Sequence, residues 1–426
     1  MRKFHNSNLK QINSHDNDIL RKLMVDIVRK VESNQLVEGM ILGAPIVDAE
    51  GIVELLSRGT KLTQRQITLI SNMGIQDIFV LDYDGEPFEQ ATLNVNKIIK
   101  TADHNGESFD LDKLLSDLEE IEQHIYEPAP RSVVNRNMEV NILTGEGNVP
   151  IDIKHEKAIE ETKAVFAKIK DEGELDLESL RKSIEEALPD MVRNNDVLMR
   201  LNQLKQSDDY TFQHSLRVSI LATMIGKWLG YSQEELLELG EAGMLFDIGK
   251  LNIPEFVLKK PSTVNMDEYE LLKKHAQFGY SILLKTRGVS SNIKYAALHH
   301  HERLDGSGYP LRLRENQIHD YAKIIMVCDV FDALTTDRPY KKAISPLLAA
   351  DYLSWSSGKL FDAEVVYVFI KRLSEYFVGK DVKLSNGKEG KIVFIDANFP
   401  TRPIVQVGEQ FIDLIKDRSI NVEVLA

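Results

Sequence analysis

The hydrophobic pattern changes period several times along the chain. Up to about residue 33 a polar start gives way to Ile19, Leu20, Leu23, Ile27 and Val28, spaced as one face of a leading helix. From Leu36 the run LVEGMILGAPIVDAEGIVELL interrupts its apolar residues with Gly39, Gly43, Asp48 and Gly51, as short strands joined by tight turns do. LTQRQITLISNMG returns to helical spacing and IQDIFVLD reads as a closing strand, so residues 1–84 are expected to form a helix and a small α/β module. Residues 85–150 are polar and charged, include EPAPRS, and read as a linker region.

From about Asp152 the helical period dominates. His155–Lys170, Leu175–Leu188 and Met191–Leu204 each set apolar residues three and four apart, with glutamates in early turns where the helix dipole favours them. Helix packing is expected throughout 151–376. After Phe377 alternation takes over, with Asn386-Gly387 as a hairpin turn and a second, Pro-containing turn before IVQVG. Residues 377–426 should therefore form a small β appendage, a barrel or a sheet folded on itself. The fold class expected is mainly α, a helical bundle with a small N-terminal α/β module and a small C-terminal β appendage.

Composition narrows the functional classes. A chain of 426 residues exceeds one ordinary core. No run approaches the roughly 20 apolar residues of a membrane helix, and MRKFHNSNLKQINSHDND lacks a signal-peptide core. No membrane span and a cytoplasmic location are expected. The single cysteine, Cys328, excludes an internal disulfide and a thiolate cluster, so any metal must be held by nitrogen and oxygen. The net charge of -14 disfavours a protein that coats a DNA or RNA polymer. A small anionic ligand remains open.

Five of the eleven histidines lie between His214 and His301. His214 shares a helical face with Val218, Leu221, Ile225 and Trp228, where a lone histidine is most simply a hydrogen-bonded core residue. Its company changes that reading. GMLFDIGK puts Asp247 at a helix C-terminus with Lys250 just beyond, His275 sits in ELLKKHAQFG, and LHHHERLDGSGYP brings three imidazoles to a helix end. Asp329 and Asp332 follow in KIIMVCDVFDALTTDRPYKKA. Adjacent histidines on one helix diverge by about 100°, so they can face one point only where the helix frays, and the Asp-Gly-Ser-Gly segment supplies that fraying. A mixed imidazole and carboxylate set suits manganese or iron, and less specifically zinc or magnesium.

The order YTFQHS, FDIGK, a lone histidine, HHERLDGSGYP and DVFDALTTDRPYKK resembles the HD-GYP family of phosphodiesterases, a branch of the HD phosphohydrolases, over roughly Leu188 to Tyr376. The resemblance implies a bacterial signalling enzyme that hydrolyses cyclic di-GMP to pGpG or GMP with two divalent metal ions. It implies His214, Asp247 and Asp329 for one metal, and Asp247, His275, His300 and His301 for the other, with Asp247 bridging. His299 is then a neighbour or a solvated residue. Tyr210 stands where some relatives have a glutamate for a third metal, which argues for two at most. Lys250, Arg338 and Lys341 match positions that contact phosphate, and Tyr309 would line the ligand pocket, stacking on guanine. Asp247 and Lys250 are the residues expected at the reacting group.

Asp305 and Asp332 read as carboxylates that orient loop amides or an imidazole, and Glu302 as a hydrogen-bonding residue within its loop. One position departs from the family. Phe246 stands where the histidine of the His-Asp pair belongs, and a phenyl ring has no lone pair. Either a weakened enzyme or a silent receptor or scaffold that binds cyclic di-GMP or a protein partner follows from it. The flanking modules resemble segments found beside such domains, and their position suggests dimerisation or signal input.

Overall fold

The structure, a computed structural model, describes residues 28–47, 54–56, 60–75, 78–81, 210–258, 264–336, 343–396 and 398–425, with Lys260 and scattered positions between 160 and 185. The chain divides into two compact units, residues 1–47 with 54–91, and residues 48–53 with 92–426. The expected linker at 85–150 and the helix at Met191–Leu204 lie outside the described residues.

In the first unit, β1 (Val28–Val31) pairs antiparallel with β4 (Ile78–Leu81), and β2 (Ile46–Val47) with β3 (Glu54–Leu56). Between β3 and β4 lies α1 (Gln64–Asn72). Thr63 and Gln66 start it with reciprocal side-chain to backbone bonds, and Ile67, Leu69 and Ile70 are buried from it. The leading helix is corrected at its end: Val28–Val31 is a strand, not helix. Val28 and Val31 fit a helical spacing, but the backbone of this segment pairs in register with Ile78–Leu81, a pairing that local periodicity does not reveal. The earlier part of that helix lies outside the described residues.

The second unit is helical. Its main elements are α2 (Tyr210–Trp228), α3 (Gln233–Leu245), α4 (Met266–Lys273), α5 (His275–Lys285), α6 (Ser291–His299), α7 (Asp320–Thr335), α8 (Pro346–Ser356) and α9 (Ala363–Phe377). Sequence-local caps open most of them. Ser232 with Glu235 caps α3, Asn265 with Glu268 caps α4, and Ser290, Ser345 and Asp362 cap α6, α8 and α9 by accepting from their first-turn amides. Helices α2 and α7 are buried on almost every face, which places their polar residues in the core. Among the described residues no helix is long and apolar enough to cross a membrane.

Two glycines bring the functional elements together. A Cβ on Gly243 of α3 would lie 2.5 Å from the Ser219 Cα of α2, so these helices cross at backbone contact. A Cβ on Gly249 would lie 1.9 Å from the His275 carbonyl oxygen. Only glycine lets the 3-10 turn Ile248–Asn252 press onto the start of α5, and this carries Asp247 and Lys250 to His275.

After α9 the chain forms five antiparallel strands: β5 (Asp381–Leu384), β6 (Glu389–Phe394), β7 (Ile404–Val407), β8 (Gln410–Asp413) and β9 (Val422–Leu425), in the order β8-β7-β6-β5-β9. The Asn-Gly turn joins β5 and β6 as the alternation predicts, with Gly387 at φ 79°. The sheet is fastened to α8: Arg402 and Thr401 bond Asp351 at 3.2 and 2.8 Å, and the Ser345 hydroxyl donates to the Val422 carbonyl at 2.6 Å.

Candidate metal centre

Three helix ends meet at one buried point. Helix α3 stops at Leu245, and the backbone turns through Phe246 so that Asp247 projects inward just past the helix. His275 is the first residue of α5. At the end of α6, His300 caps the helix and His301 lies beyond it, so the loss of helical geometry that the glycine-rich segment foreshadows lets both rings face inward. Asp247, His275, His300 and His301 are all buried, and one ligand atom from each lies within 4.8 Å of the others.

The hydrogen bonds decide what these atoms are. His275 Nδ1 lies 2.6 Å from the Leu272 carbonyl, and His300 Nδ1 lies 2.7 Å from the Ala297 carbonyl. A carbonyl only accepts, so both Nδ1 atoms carry the proton and both Nε2 atoms present lone pairs. Those lone pairs meet: His275 Nε2 is 3.0 Å from His300 Nε2 and 3.1 Å from His301 Nε2. Asp247 Oδ1, buried and without a hydrogen-bond donor, lies 3.4 Å from His275 Nε2 and 3.7 Å from His300 Nε2. Burial, then the neighbouring imidazoles, pushes His300 down to about 3 and His301 well below its ordinary value, so both rings are neutral at neutral pH. The Nε2 lone pairs of His275 and His300 converge with an Asp247 oxygen that no hydrogen bond satisfies, a set that fits a divalent cation.

A second polar cluster lies beside the first. His214 of α2 bonds Asp332 Oδ2 through Nδ1 at 2.7 Å and Asp329 Oδ1 through Nε2 at 3.0 Å. Arg217, one helical turn on, donates to both Asp332 oxygens, at 2.5 and 2.9 Å. Burial would lower His214, but the two aspartates outweigh it and raise it to about 9. Burial likewise opposes Asp332, and Arg217 with His214 holds it well below the usual carboxylate range. His214, Asp329, Asp332 and Arg217 form a balanced ionic group inside the core.

Phe246 fills the space between the clusters. It is almost fully buried, and its ring meets His300 edge-on at 4.9 Å and His214 at 5.6 Å between centroids. No nitrogen is available there.

Residues 188–365 match the HD domain family. Among curated proteins, a cyclic di-GMP phosphodiesterase of Pseudomonas aeruginosa is 36% identical over 241 residues, 54% of this chain and 58% of its own. A cyclic di-GMP phosphodiesterase of Thermotoga maritima is 38% identical over 178 residues, 41% of this chain and 48% of its own. A 3'3'-cGAMP-specific phosphodiesterase of Vibrio cholerae is 35% identical over 182 residues, 42% of each chain. The chain spans about half the length of the curated relatives it matches.

Most of the other expected site residues take definite places. Lys250 is buried rather than a surface lysine, with Nζ 2.6 Å from Asp247 Oδ2, and although burial opposes it, this lysine and the neighbouring imidazoles hold Asp247 well below its ordinary value. Tyr309 stacks on His301 at 4.7 Å, with Lys273 Nζ 5.2 Å from its ring. His299 is buried outside the cluster, its Nδ1 accepting from the His319 amide at 3.4 Å. Arg338 and Lys341 lie outside the described residues.

Glu302 accepts the amides of Leu311 and Leu313 at 2.7 and 2.9 Å, and Asp305 accepts from the Ser307 amide and hydroxyl at 3.0 and 2.6 Å. Both act within the loop, as their sequence context suggests. Burial raises Glu302 to about 7 against those amide bonds. Two residues escape sequence reasoning. Arg217 sits at the i+3 position from His214, a signal legible in HSLR, and Lys273 gives no sign of reaching Tyr309.

Proposed function

We propose that this chain is a metal-dependent phosphodiesterase that hydrolyses cyclic di-GMP to pGpG or GMP in the cytoplasm. The observation that carries the reading is the buried convergence of Asp247 Oδ1, which no hydrogen bond satisfies, with the Nε2 atoms of His275 and His300 and a ring nitrogen of His301. Manganese or iron held there supplies the Lewis acidity that phosphodiester hydrolysis needs, bringing water's pKa from about 15.7 toward roughly 7. The named activities of the Pseudomonas aeruginosa and Thermotoga maritima relatives support the substrate class.

The chain's own residues divide the remaining work. His275 and His300 keep their Nε2 lone pairs available because backbone carbonyls hold the Nδ1 protons. Lys250 brings a fixed positive charge to the rim of the centre, where it neutralises a phosphate oxygen. Arg338 and Lys341 are proposed to do the same from the RPYKK segment, and Tyr309 to wall the pocket beside His301. The flanking modules are proposed as sites of dimerisation or signal input.

The test is turnover by the full chain loaded with manganese or iron. Linear pGpG or GMP should form, and His300→Ala should abolish it, a loss exceeding the roughly 10–100-fold that partners outside the ligand set typically cost. No product from cyclic di-GMP with either metal in excess overturns the reading. Assaying 3'3'-cGAMP beside it checks the alternative that the Vibrio cholerae relative raises. The Phe246 ring favours a second reading, a silent receptor for the same nucleotide. That reading requires an inactive parent that Phe246→His makes active, and it fails if the parent already turns over as fast.

A further inference from the structure

The two polar clusters differ in how their polar atoms are engaged. His214 has both ring nitrogens engaged by carboxylates, Nδ1 by Asp332 and Nε2 by Asp329, and its nearest approach to Asp247 is 3.7 Å. Neither His214 nor Asp329 belongs to the group of ligand atoms that gathers at Asp247. The two oxygens of Asp247 face different ways. Oδ1 looks toward His275 and His300 with no donor, whereas Oδ2 is taken by the Lys250 ammonium at 2.6 Å. Between the clusters stands Phe246, in ring contact with both His300 and His214.

We infer that this chain holds one divalent cation, at Asp247, His275, His300 and His301, and that the ammonium of Lys250 occupies the side of Asp247 on which a second cation would share that carboxylate. The inference rests on the metal reading of the proposed function and concerns the number of ions. Where a carboxylate bridges two cations roughly 3.5 to 4 Å apart through both of its oxygens, each cation takes one of them. A cation about 2.0–2.2 Å from Oδ2 would lie against the ammonium already bonded there. Two like charges at that separation repel strongly in a buried site. Lys250 is itself buried, so wherever the ammonium moves its charge must be met by a buried acceptor.

The opposite wall offers the second cation the donorless Asp329 Oδ2 but no imidazole beside it. Phe246 supplies a hydrocarbon edge where an imidazole would donate a lone pair. Displacing the His214 bonds would also strand Asp332 and Arg217, which that imidazole helps to balance. Lys250 therefore contributes the second positive charge of the centre as a fixed side chain, and His214, Asp329, Asp332 and Arg217 form a metal-free ionic support behind Phe246.

Counting the ions tests this without reference to turnover. The full chain is equilibrated with excess Mn(II), desalted, and examined by elemental analysis and by electron paramagnetic resonance. The expected result is one Mn(II) per chain with the signal of an isolated ion, lost in His300→Ala and retained in His214→Gln and Asp329→Asn, with circular dichroism showing which variants are folded. The parent alone decides the count if a variant does not fold. Two ions per chain, or the signal of an exchange-coupled pair, overturns the inference while leaving the metal reading intact. Retention in folded His300→Ala with loss in folded His214→Gln moves the ion to the other cluster and overturns it too. No bound Mn(II) in the parent overturns the metal reading itself, and this inference with it.

Discussion

Arg217 is the fully buried cation on which the ionic group of the core depends. Its guanidinium grips Asp332 by two bonds, and Asp332 in turn orients His214. Replacing it with methionine keeps the volume and strands a carboxylate, so Arg217→Met should lower unfolding free energy by about 3–5 kcal/mol in urea titration. His214 makes a pH prediction. Its folded pKa, about 9, lies above the ordinary 6.5, so its stabilisation is complete below about pH 6.5 and is lost as pH rises through 9. The chelator-treated protein should lose about 3 kcal/mol across that window, and His214→Gln should lose this dependence, as read by denaturation midpoints at each pH. A flat profile in the parent would contradict the assignment of charge to His214.

At the scale of elements, the centre is a product of where helices stop. Gly249 holds the 3-10 turn against the first residue of α5, and a methyl group there cannot be accommodated without separating them. Gly249→Ala should therefore destabilise by about 3 kcal/mol, the upper end for overpacking, and weaken Mn(II) binding as Asp247 moves away from His275, measurable by calorimetric titration. Normal affinity in a folded variant would show that this packing does not position the centre. Much of this architecture was legible beforehand. The apolar spacing in LTQRQITLISNMG, the capping serines and asparagine, the Asn386-Gly387 hairpin and the fraying after His299 are local signals, and each predicts its element. Val28–Val31 was not legible, because its strand exists only through Leu81 and Ile78 far along the chain. Asp247, His275, His300 and His301 come from separate motif segments, and that they converge, with His214 at 3.0 Å from Asp329 and 3.7 Å from Asp247, is a matter of tertiary geometry that spacing does not encode.

For the whole molecule, a metal-binding core implies linkage between occupancy and stability. An ion that binds only the folded chain adds about 2.7 kcal/mol when present at 100 times its dissociation constant. Thermal unfolding should therefore shift upward with Mn(II) and downward after chelation, and His300→Ala should erase the difference. An unchanged melting curve would mean that the convergent histidines hold no ion.

The bonds that tie the C-terminal sheet to α8 bear on engineering. Sequence character changes at Phe377, which invites a grafting seam there, yet Asp351 is bonded to Arg402 and Thr401, and Ser345 to the backbone of β9. A fusion cut at that point would leave the N-terminal cap and the exposed flank of α8 without their partners, so a transplantable cassette must carry the sheet along with the helices and take its join elsewhere.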